Sequence, residues 1–365
     1  MQKFNAKLLV IALLLLVILN PTYAFAQHDN HEGDTAHAGE TVAKNIHEEE
    51  KEFNAVEMIM EHISDANEWH VATINGQHYS IPLPVIVWDN SLKVFMSSAA
   101  AHGHEHEGYT LHEGKLTSTT GLEKAGLVDL FKGLDGKYVD LSITKNVAGI
   151  LISCILLFLV FTAVSRAYKK NAGVPKGIAG FLEPVILFIR DEVAVPNIGH
   201  KDAAKFLPLL LTIFFFIWFN NLLGLIPLFP GGANVTGNIA VTLVLALVTM
   251  VVVNINGKGT YWKHIFKPDV PAAMYVIMIP VELIGIITKP FALMMRLFAN
   301  ITAGHIMILS LISLIFIFQN ALVGFASVPL ALFISILELL VAALQAYIFT
   351  VLTALFIGMA VQEHH

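Results

Sequence analysis

Five polar side chains interrupt two long apolar segments near the end of the sequence. Glu282, Arg296 and His305 lie in the first segment, and Glu338 and Gln345 lie in the second. A charged side chain at the centre of a bilayer costs about 2.5 to 3.5 kcal/mol on insertion scales, so ionisable groups in such segments indicate a function. Carboxylic acids and imidazoles exchange protons near neutral pH, whereas a guanidinium keeps its proton.

The spacing of these residues predicts their depth in a membrane. If the two segments form an antiparallel helical pair with Arg296 opposite Gln345, then His305 lies roughly 13 Å from Arg296 towards the outer side. Glu338 precedes Gln345 by roughly 10 Å of helix and therefore comes opposite His305. Glu282 lies roughly 21 Å from Arg296 towards the cytoplasm. The pattern predicts an outer acid–imidazole pair and an inner acid on either side of a permanent cation.

The position of Arg296 predicts a barrier between two proton paths. Asn300 shares a helix face with Arg296, because four residues separate them. A guanidinium blocks proton leakage and attracts an anion, so we expect two offset half-channels with an electrostatic gate between them. A structural interpretation stays open, in which Arg296 pairs with Glu282 or Glu338 inside the chain.

The composition is that of an integral membrane protein. Of the 365 residues, 56% are hydrophobic and only 14% are charged, compared with about 25% charged residues in soluble domains. No basic surface suited to nucleic acid is visible in the sequence. The single cysteine, Cys154, excludes a disulfide framework and a cysteine-based metal site.

The beginning of the sequence is typical of a secretory signal peptide. Lys3 and Lys7 form a basic region, residues 8–19 are apolar, and Ala24-Phe25-Ala26 provides small residues for cleavage. We predict a signal peptide over residues 1–26, which places the following segment outside the cytoplasm; an uncleaved anchor is the alternative, although the apolar core is short for a span.

Residues 27–140 are predicted to form a His- and acid-rich periplasmic extension that is partly disordered. Residues 27–52 are polar and poor in aromatic side chains. Within residues 69–98, Asn75-Gly76 and Asp89-Asn90 mark turns between β-rich runs, which favours a small module with β-strands. The stretch "AHGHEHEGYTLHEGK" that follows is predicted to be a polar loop.

This polar loop contains weak candidates for metal ligands. His102, His104 and His106 alternate with carboxylates, and imidazole with carboxylate suits zinc or nickel. No spacing in the loop fixes a coordination geometry, so a solvated loop is the favoured interpretation.

Residues 145–363 predict an all-α polytopic membrane domain with about five transmembrane helices. Basic residues after the first span mark the cytoplasmic side, which places the N-terminus in the periplasm and the C-terminus in the cytoplasm. An amphipathic helix is expected over residues 180–193. The predicted spans are residues 146–164, 206–229, 239–253, 280–320 and 328–361.

The last two spans are too long for a simple crossing. They measure roughly 60 Å and 50 Å as helices, whereas a bilayer core is about 30 Å thick. We therefore expect a strongly tilted hairpin that packs against a large curved partner, with a kink at Pro290.

Several motifs resemble subunit a of the F-type rotary ATP synthases. They are "FIRDEVAVPNIG", "NNLLGLIPLFPGGANVTGNIAVTLVLAL", "MMRLFANITAGH" and "LELLVAALQAYIFTVLTALFIGMA", in the order expected for the family. The long N-terminal extension is similar to that of Bacteroidetes-type members. The resemblance covers roughly residues 145–363.

The resemblance implies a role for each polar residue of the hairpin. Arg296 is implied to be the stator arginine that faces the carboxylate of the c-ring. His305 and Glu338 match the periplasmic half-channel pair. The remaining proton-path positions of the family match Glu282, Asn300 and Gln345.

The resemblance also implies what the protein does and with which partners. It implies a non-catalytic proton-channel subunit without a cofactor, in the inner membrane of a bacterium, bound to the c-ring, to the peripheral-stalk subunit b and to other ATP synthase subunits. No Walker A motif is present, because "NGKGT" is only a short glycine-rich turn. An ion-coupled secondary transporter is the alternative, although the inverted repeats typical of that class are not visible.

Overall fold

The computed structural model describes residues 55–74, 77–101, 104–112, 114–126, 129, 135–170, 177–226, 231–267, 271 and 274–361. The predicted signal peptide and the polar segment over residues 27–52 lie outside these residues, so both remain predictions.

The described part of the extension combines short helices with β-hairpins. Its elements are α1 (Ala55–Ile63), β1 (Glu68–Ile74), β2 (Gln77–Pro82), β3 (Pro84–Trp88), β4 (Leu92–Met96), α2 (Ser97–Ala100), β5 (Tyr109–His112), β6 (Lys115–Ser118), β7 (Glu123–Lys124) and β8 (Lys137–Asp140). Strands β1 and β2 pair antiparallel, as do β3 and β4. The prediction of a small strand-containing module is therefore confirmed. Asn90 has a φ of 110°, a left-handed conformation that suits a turn residue such as asparagine.

The sequence analysis was wrong about part of the histidine-rich stretch. Strands β5 and β6 form an antiparallel hairpin where a polar loop was expected. Tyr109 and Leu111 alternate towards a buried side, where the Tyr109 hydroxyl donates a hydrogen bond to Asp89 Oδ2 at 2.9 Å. Two buried side chains in four residues are enough to hold a short strand, and the surrounding polar residues concealed this alternation.

The membrane domain is helical throughout its described residues. Its elements are α3 (Lys145–Lys170), α4 (Ile178–Phe188), a π-helical segment (Ile189–Ala194), α5 (Val195–Ile198), α6 (His200–Leu225), α7 (Ile239–Asn256), α8 (Gly259–Phe266), α9 (Tyr275–Phe318) and α10 (Ala321–Val361). Helices α3, α6, α7, α9 and α10 are long and apolar enough to cross a membrane. This result confirms the predicted all-α polytopic domain with five spans.

The bounds of the last span differ from the prediction. Helix α10 begins at Ala321, so most of the segment expected to connect the two hairpin helices belongs to the second helix. Helix α9 has 44 residues and continues through Pro280 and Pro290 without a break. The hairpin helices are thus roughly 66 Å and 62 Å long at 1.5 Å per residue, about twice the thickness of a bilayer core.

Small residues let α10 approach its neighbours closely. Helix α10 packs against α6 and α9, and Ala342, Ala346 and Ala354 are fully buried along it. Gly358 lies against the backbone of α5, where an added Cβ would contact the carbonyl oxygen of Asn197. Close backbone approach of this kind is typical of helices that associate in lipid, because the hydrophobic effect contributes little free energy to helix association there.

Much of the apolar surface of the hairpin remains uncovered within the described chain. In the most apolar windows of α6 and α7 half of the residues are buried, but in those of α9 and α10 only 11% and 22% are. Large side chains such as Ile287, Phe291, Phe333 and Leu340 are more than half exposed. The hairpin therefore offers a long apolar face to lipid or to a partner.

Gly358 and Gly285 give a matched test of this packing. Gly358→Ala places a methyl group on a backbone oxygen, and overpacking of this kind costs about 1–3 kcal/mol. Gly285→Ala is the control, because a Cβ there meets open space. We expect a lower thermal-denaturation midpoint for Gly358→Ala than for Gly285→Ala in the purified detergent-solubilised protein. Equal midpoints would contradict the close approach at α5.

Candidate functional site

The structure brings His305 of α9 and Glu338 of α10 together, as the spacing predicts. His305 Nδ1 lies 3.8 Å from Glu338 Oε1, and the two side chains are 18% and 4% exposed. Neither carboxylate oxygen of Glu338 has a hydrogen-bond partner among the described residues. A buried carboxyl group next to an imidazole is well suited to take up and pass on a proton.

One glycine makes room for this pair, and a second lies beside it. A Cβ at Gly304 would lie 2.6 Å from Glu338 Oε1, so the glycine leaves space for the carboxylate against α9. A Cβ at Gly224 of α6 would lie 3.7 Å from His305 Nε2. The sequence analysis did not identify either glycine, because a glycine in an apolar helix carries no chemical signal of its own.

Buried hydrogen bonds join four elements around the pair. The side-chain amide of Asn221 in α6 donates to the Ala342 carbonyl of α10 at 3.2 Å. The Thr236 hydroxyl donates to Asn221 Oδ1 at 2.5 Å, and the Thr302 hydroxyl of α9 donates to the Gly237 carbonyl at 3.4 Å. These bonds fix the loop before α7 against the three helices that surround the acid and the imidazole.

Several buried polar atoms in the same end of the membrane domain lack a partner. In the part of the chain that the structure describes, they are Asn146 Oδ1, Asn220 Oδ1, Asn234 Nδ2 and both Glu338 oxygens. Buried polar groups are normally satisfied by protein or by ordered water. Each of these groups therefore needs a partner that the described chain does not provide.

Arg296 lies on the outer surface of α9. Its side chain is exposed, and it makes no hydrogen bond or ion pair with any residue that the structure describes. Asn300, one turn further along, is exposed as well. The structural interpretation, in which Arg296 pairs internally with Glu282 or Glu338, is therefore not supported.

Gln345 is separated from Arg296 by its environment. Its side chain is buried on α10, whereas Arg296 is exposed, and no hydrogen bond joins the two in the described chain. The apposition of Arg296 and Gln345 therefore stays a prediction.

Glu282 lines an open cavity on the predicted cytoplasmic side. Its Oε1 lies 3.8 Å from His264 Nδ1 of α8. The cavity has an empty volume of ≈ 710 Å³, its open mouth included, and Tyr261 and Lys289 also line it. Burial raises the pKa of Tyr261, and the nearby Glu282 carboxylate raises it further.

His264 and Lys289 are the cavity residues that the sequence analysis missed as site candidates. His264 belongs to a short helix that is distant from Glu282 in the sequence, so no spacing could connect them. Lys289 Nζ lies 5.8 Å from the centre of the Phe356 ring of α10, which gives this unexplained lysine a cation–π contact.

The histidine-rich stretch does not form a metal centre in its described part. His102 lies outside the described residues, His104 is exposed, and the ring of His106 packs against that of Phe95 at 5.0 Å. No group of three potential metal ligands comes together among the described residues.

This architecture defines a class of membrane protein. A buried acid–imidazole pair at one end of a helical hairpin, an exposed arginine in its apolar middle and an acid in an open cavity at the other end are the parts of a membrane subunit that translocates protons.

The chain belongs to the ATP synthase A chain family, whose model matches residues 147–358. It is 48% identical over 251 residues to ATP synthase subunit a of Chloroherpeton thalassium, covering 67% of this chain and 74% of that protein. It is 46% identical over 270 residues to ATP synthase subunit a 2 of Chlorobaculum tepidum, covering 72% and 75%. A relative from Chlorobium phaeobacteroides, also called ATP synthase subunit a, is 45% identical over 277 residues, covering 73% of this chain and 79% of the relative.

The family confirms the function predicted from the sequence, a proton-translocating subunit of the F-type ATP synthase in the inner membrane. A secondary transporter is not favoured. A second family model, described as a domain of unknown function (DUF8433), matches residues 58–132 of the extension.

Gly304 allows a specific test of the acid–imidazole pair. Gly304→Ala should leave the fold intact, since the atom it displaces is the flexible end of Glu338, but it should move the carboxylate away from α9. We expect ATP-driven proton pumping in membrane vesicles to fall several-fold. Gly324→Ala is the control, because its Cβ makes only an ordinary 3.8 Å contact. Equal pumping by both variants would contradict a requirement for the observed geometry.

Proposed function

We propose that Arg296 is the fixed cation of the stator and faces the ionisable carboxylate of a rotating ring of c subunits. One observation carries this proposal: Arg296 is exposed and has no partner among the described residues, although it lies in a helix apolar enough to span the membrane. An uncompensated guanidinium in hydrocarbon is costly. A carboxylate from another subunit would remove this cost.

The uncovered apolar face of the hairpin supports the same partner. Helices α9 and α10 are about twice as long as a simple span requires, and their outer surfaces carry large exposed apolar side chains. A pair of long, oblique helices can follow the curved outer wall of a ring. We propose that the peripheral-stalk subunit b and other ATP synthase subunits hold this hairpin against the c-ring.

The outer half-channel is proposed to end at His305 and Glu338. Protons from the periplasm would reach this pair through the region of buried unsatisfied groups and pass from it to a ring carboxylate. No hydrogen-bond donor in the described chain holds Glu338 in its ionised form, because neither of its carboxylate oxygens has a partner there. The pair can therefore alternate between protonated and deprotonated forms.

The inner half-channel is proposed to run through the cavity at Glu282. The ring carboxylate would release its proton there after nearly a full turn, next to His264 and Glu282. Arg296 lies between the two paths and favours the ionised carboxylate, and Asn300 on the same face contacts the passing ring. Gln345 lies beneath this surface as a buried amide of the channel wall.

The driving force follows from the number of charges moved. Each proton that crosses 100 mV carries about 2.3 kcal/mol, which the ring converts into rotation. ATP chemistry is assigned to other subunits, so this chain is non-catalytic on its own. Its N-terminus is proposed to be periplasmic and its C-terminus cytoplasmic, as the basic residues after α3 predict.

Arg296→Ala tests the proposed stator role. The variant should assemble normally, because Arg296 makes no contact with the described chain that holds the fold, but ATP-driven proton pumping in membrane vesicles should be abolished. Lys201→Ala removes an exposed cation at the start of α6 and serves as the control. Normal pumping by the Arg296→Ala complex would disprove the assignment.

Purification tests the proposed partners independently of activity. Affinity purification of the tagged chain from native membranes in mild detergent should bring down a c-ring and a subunit b, detected by mass spectrometry. Recovery of the chain alone, from membranes that contain assembled ATP synthase, would favour a secondary transporter.

A further inference from the structure

The extension is joined to the first membrane helix by Asp65. Asp65 Oδ2 accepts a hydrogen bond from the Thr144 hydroxyl at 2.8 Å, and its Oδ1 accepts one from the Asn146 backbone amide at 3.0 Å. Asp65 therefore caps the N-terminus of α3 from a segment 81 residues earlier in the chain. Helix α1 also packs directly against α9, the helix that carries His305.

Lys145, the first residue of α3, is buried beside this cap. It is only 7% exposed, its ammonium donates a hydrogen bond to the His62 carbonyl at 3.1 Å, and its backbone amide donates to the Ala66 carbonyl at 2.8 Å. Asp65 lies close to Lys145 in space, because its carboxylate binds the two residues that flank Lys145 in the chain, Thr144 and Asn146. A buried ammonium requires such compensation, because a lone charge pays a large desolvation penalty.

The same face of α3 leads towards the acid–imidazole pair. Gly149 lies one turn after Lys145, and a Cβ there would lie 3.0 Å from the Ala233 side chain. A Cβ at Gly224 would lie 3.3 Å from the Ala233 carbonyl and 3.7 Å from His305 Nε2. One loop residue, Ala233, thus connects the first turn of α3 with the surroundings of His305.

The ionisation of Asp65 depends on opposing effects. Burial raises the pKa of Asp65 above its usual value, while the hydrogen bonds from Asn146 and Thr144 and the charge of Lys145 lower it. Other titratable groups near Asp65 and Lys145 come from neighbouring elements: His62 of α1, His305 of α9 and Glu338 of α10. Removing the charge of Asp65 or of Lys145 would therefore change the electrostatic potential near these groups.

We propose that the extension supplies Asp65 as the counter-charge of Lys145 at the periplasmic entrance, and that these two neighbouring charges set the electrostatic potential at which His305 and Glu338 receive protons. The inference rests on the proposed role of His305 and Glu338 as the outer half-channel. It assigns a positioning residue of proton transport to a segment that lies outside the residues matched by the ATP synthase A chain model. The extension thereby becomes part of the channel entrance.

Charge-removing substitutions that keep the hydrogen bonds test this proposal. Asp65→Asn retains a capping oxygen for α3, and Lys145→Gln retains a donor for the His62 carbonyl. The intact ATP synthase is reconstituted in liposomes, and ATP synthesis is measured while the pH on the side of the extension is varied at constant pH on the opposite side. The readout is the pH on the extension side at which the rate is half-maximal.

The two substitutions should act in opposite directions. Asp65→Asn leaves Lys145 uncompensated and should lower the half-maximal pH by about 0.5–1 unit, because an added positive potential opposes proton uptake. Lys145→Gln leaves Asp65 uncompensated and should raise it by about the same amount. The double variant should return close to the wild-type value. Shifts in the same direction, or no shift in either single variant, would overturn the proposal.

Two sets of control variants distinguish a failure of the Asp65 proposal from a failure of the proposed outer half-channel. Asp135→Asn and Lys115→Gln remove exposed charges of the extension, where solvent screens them, and should leave the half-maximal pH unchanged. Glu338→Gln in the same assay tests the proposed half-channel itself. If Glu338→Gln abolishes synthesis while Asp65→Asn has no effect, only the role of Asp65 is lost. If Glu338→Gln is fully active, the outer half-channel is wrong.

Discussion

The cost of an uncompensated charge in lipid governs the architecture of this protein. Arg296 lies in a helix that is apolar enough to span a membrane, and no described residue pairs with it. The surrounding surface of the hairpin is apolar and uncovered, so neither water nor the chain itself can solvate the guanidinium there. In the proposed function, a carboxylate of another subunit compensates this charge, and this requirement couples proton movement to the partner that moves.

The same principle explains why the two proton-carrying regions differ. At the outer end, His305 and Glu338 are buried among amide groups and glycines that leave room for them, and several buried polar atoms there require water. At the inner end, Glu282 and His264 line a wide cavity. The buried pair at one end and the open cavity at the other lie on either side of Arg296 along α9, as the proposed half-channels require.

The extension adds a further charged group, the carboxylate of Asp65, to the charges of the membrane domain. By capping α3 with Asp65 and placing α1 against α9, it brings a carboxylate to the end of the domain where protons are proposed to enter. The capping hydrogen bonds, the buried lysine and the His305–Glu338 pair are the parts of this proposed element. The extension, which a family model of unknown function matches over residues 58–132, is thereby proposed to lie at the entrance of the channel domain.

The sequence by itself determined the class of the protein, the five spans, the strand-containing module and the apposition of His305 and Glu338, because apolar periodicity and helical rise are local properties. It did not reveal strands β5 and β6, where polar neighbours concealed a short alternation, nor His264, which reaches Glu282 from a distant helix. Only the tertiary structure decided that Arg296 faces outward while Gln345 is buried, since the rotation of a helix about its axis depends on packing by small residues such as Gly304 and Gly358. It also decided that Asp65 caps α3, because a cap supplied from 81 residues away leaves no local pattern.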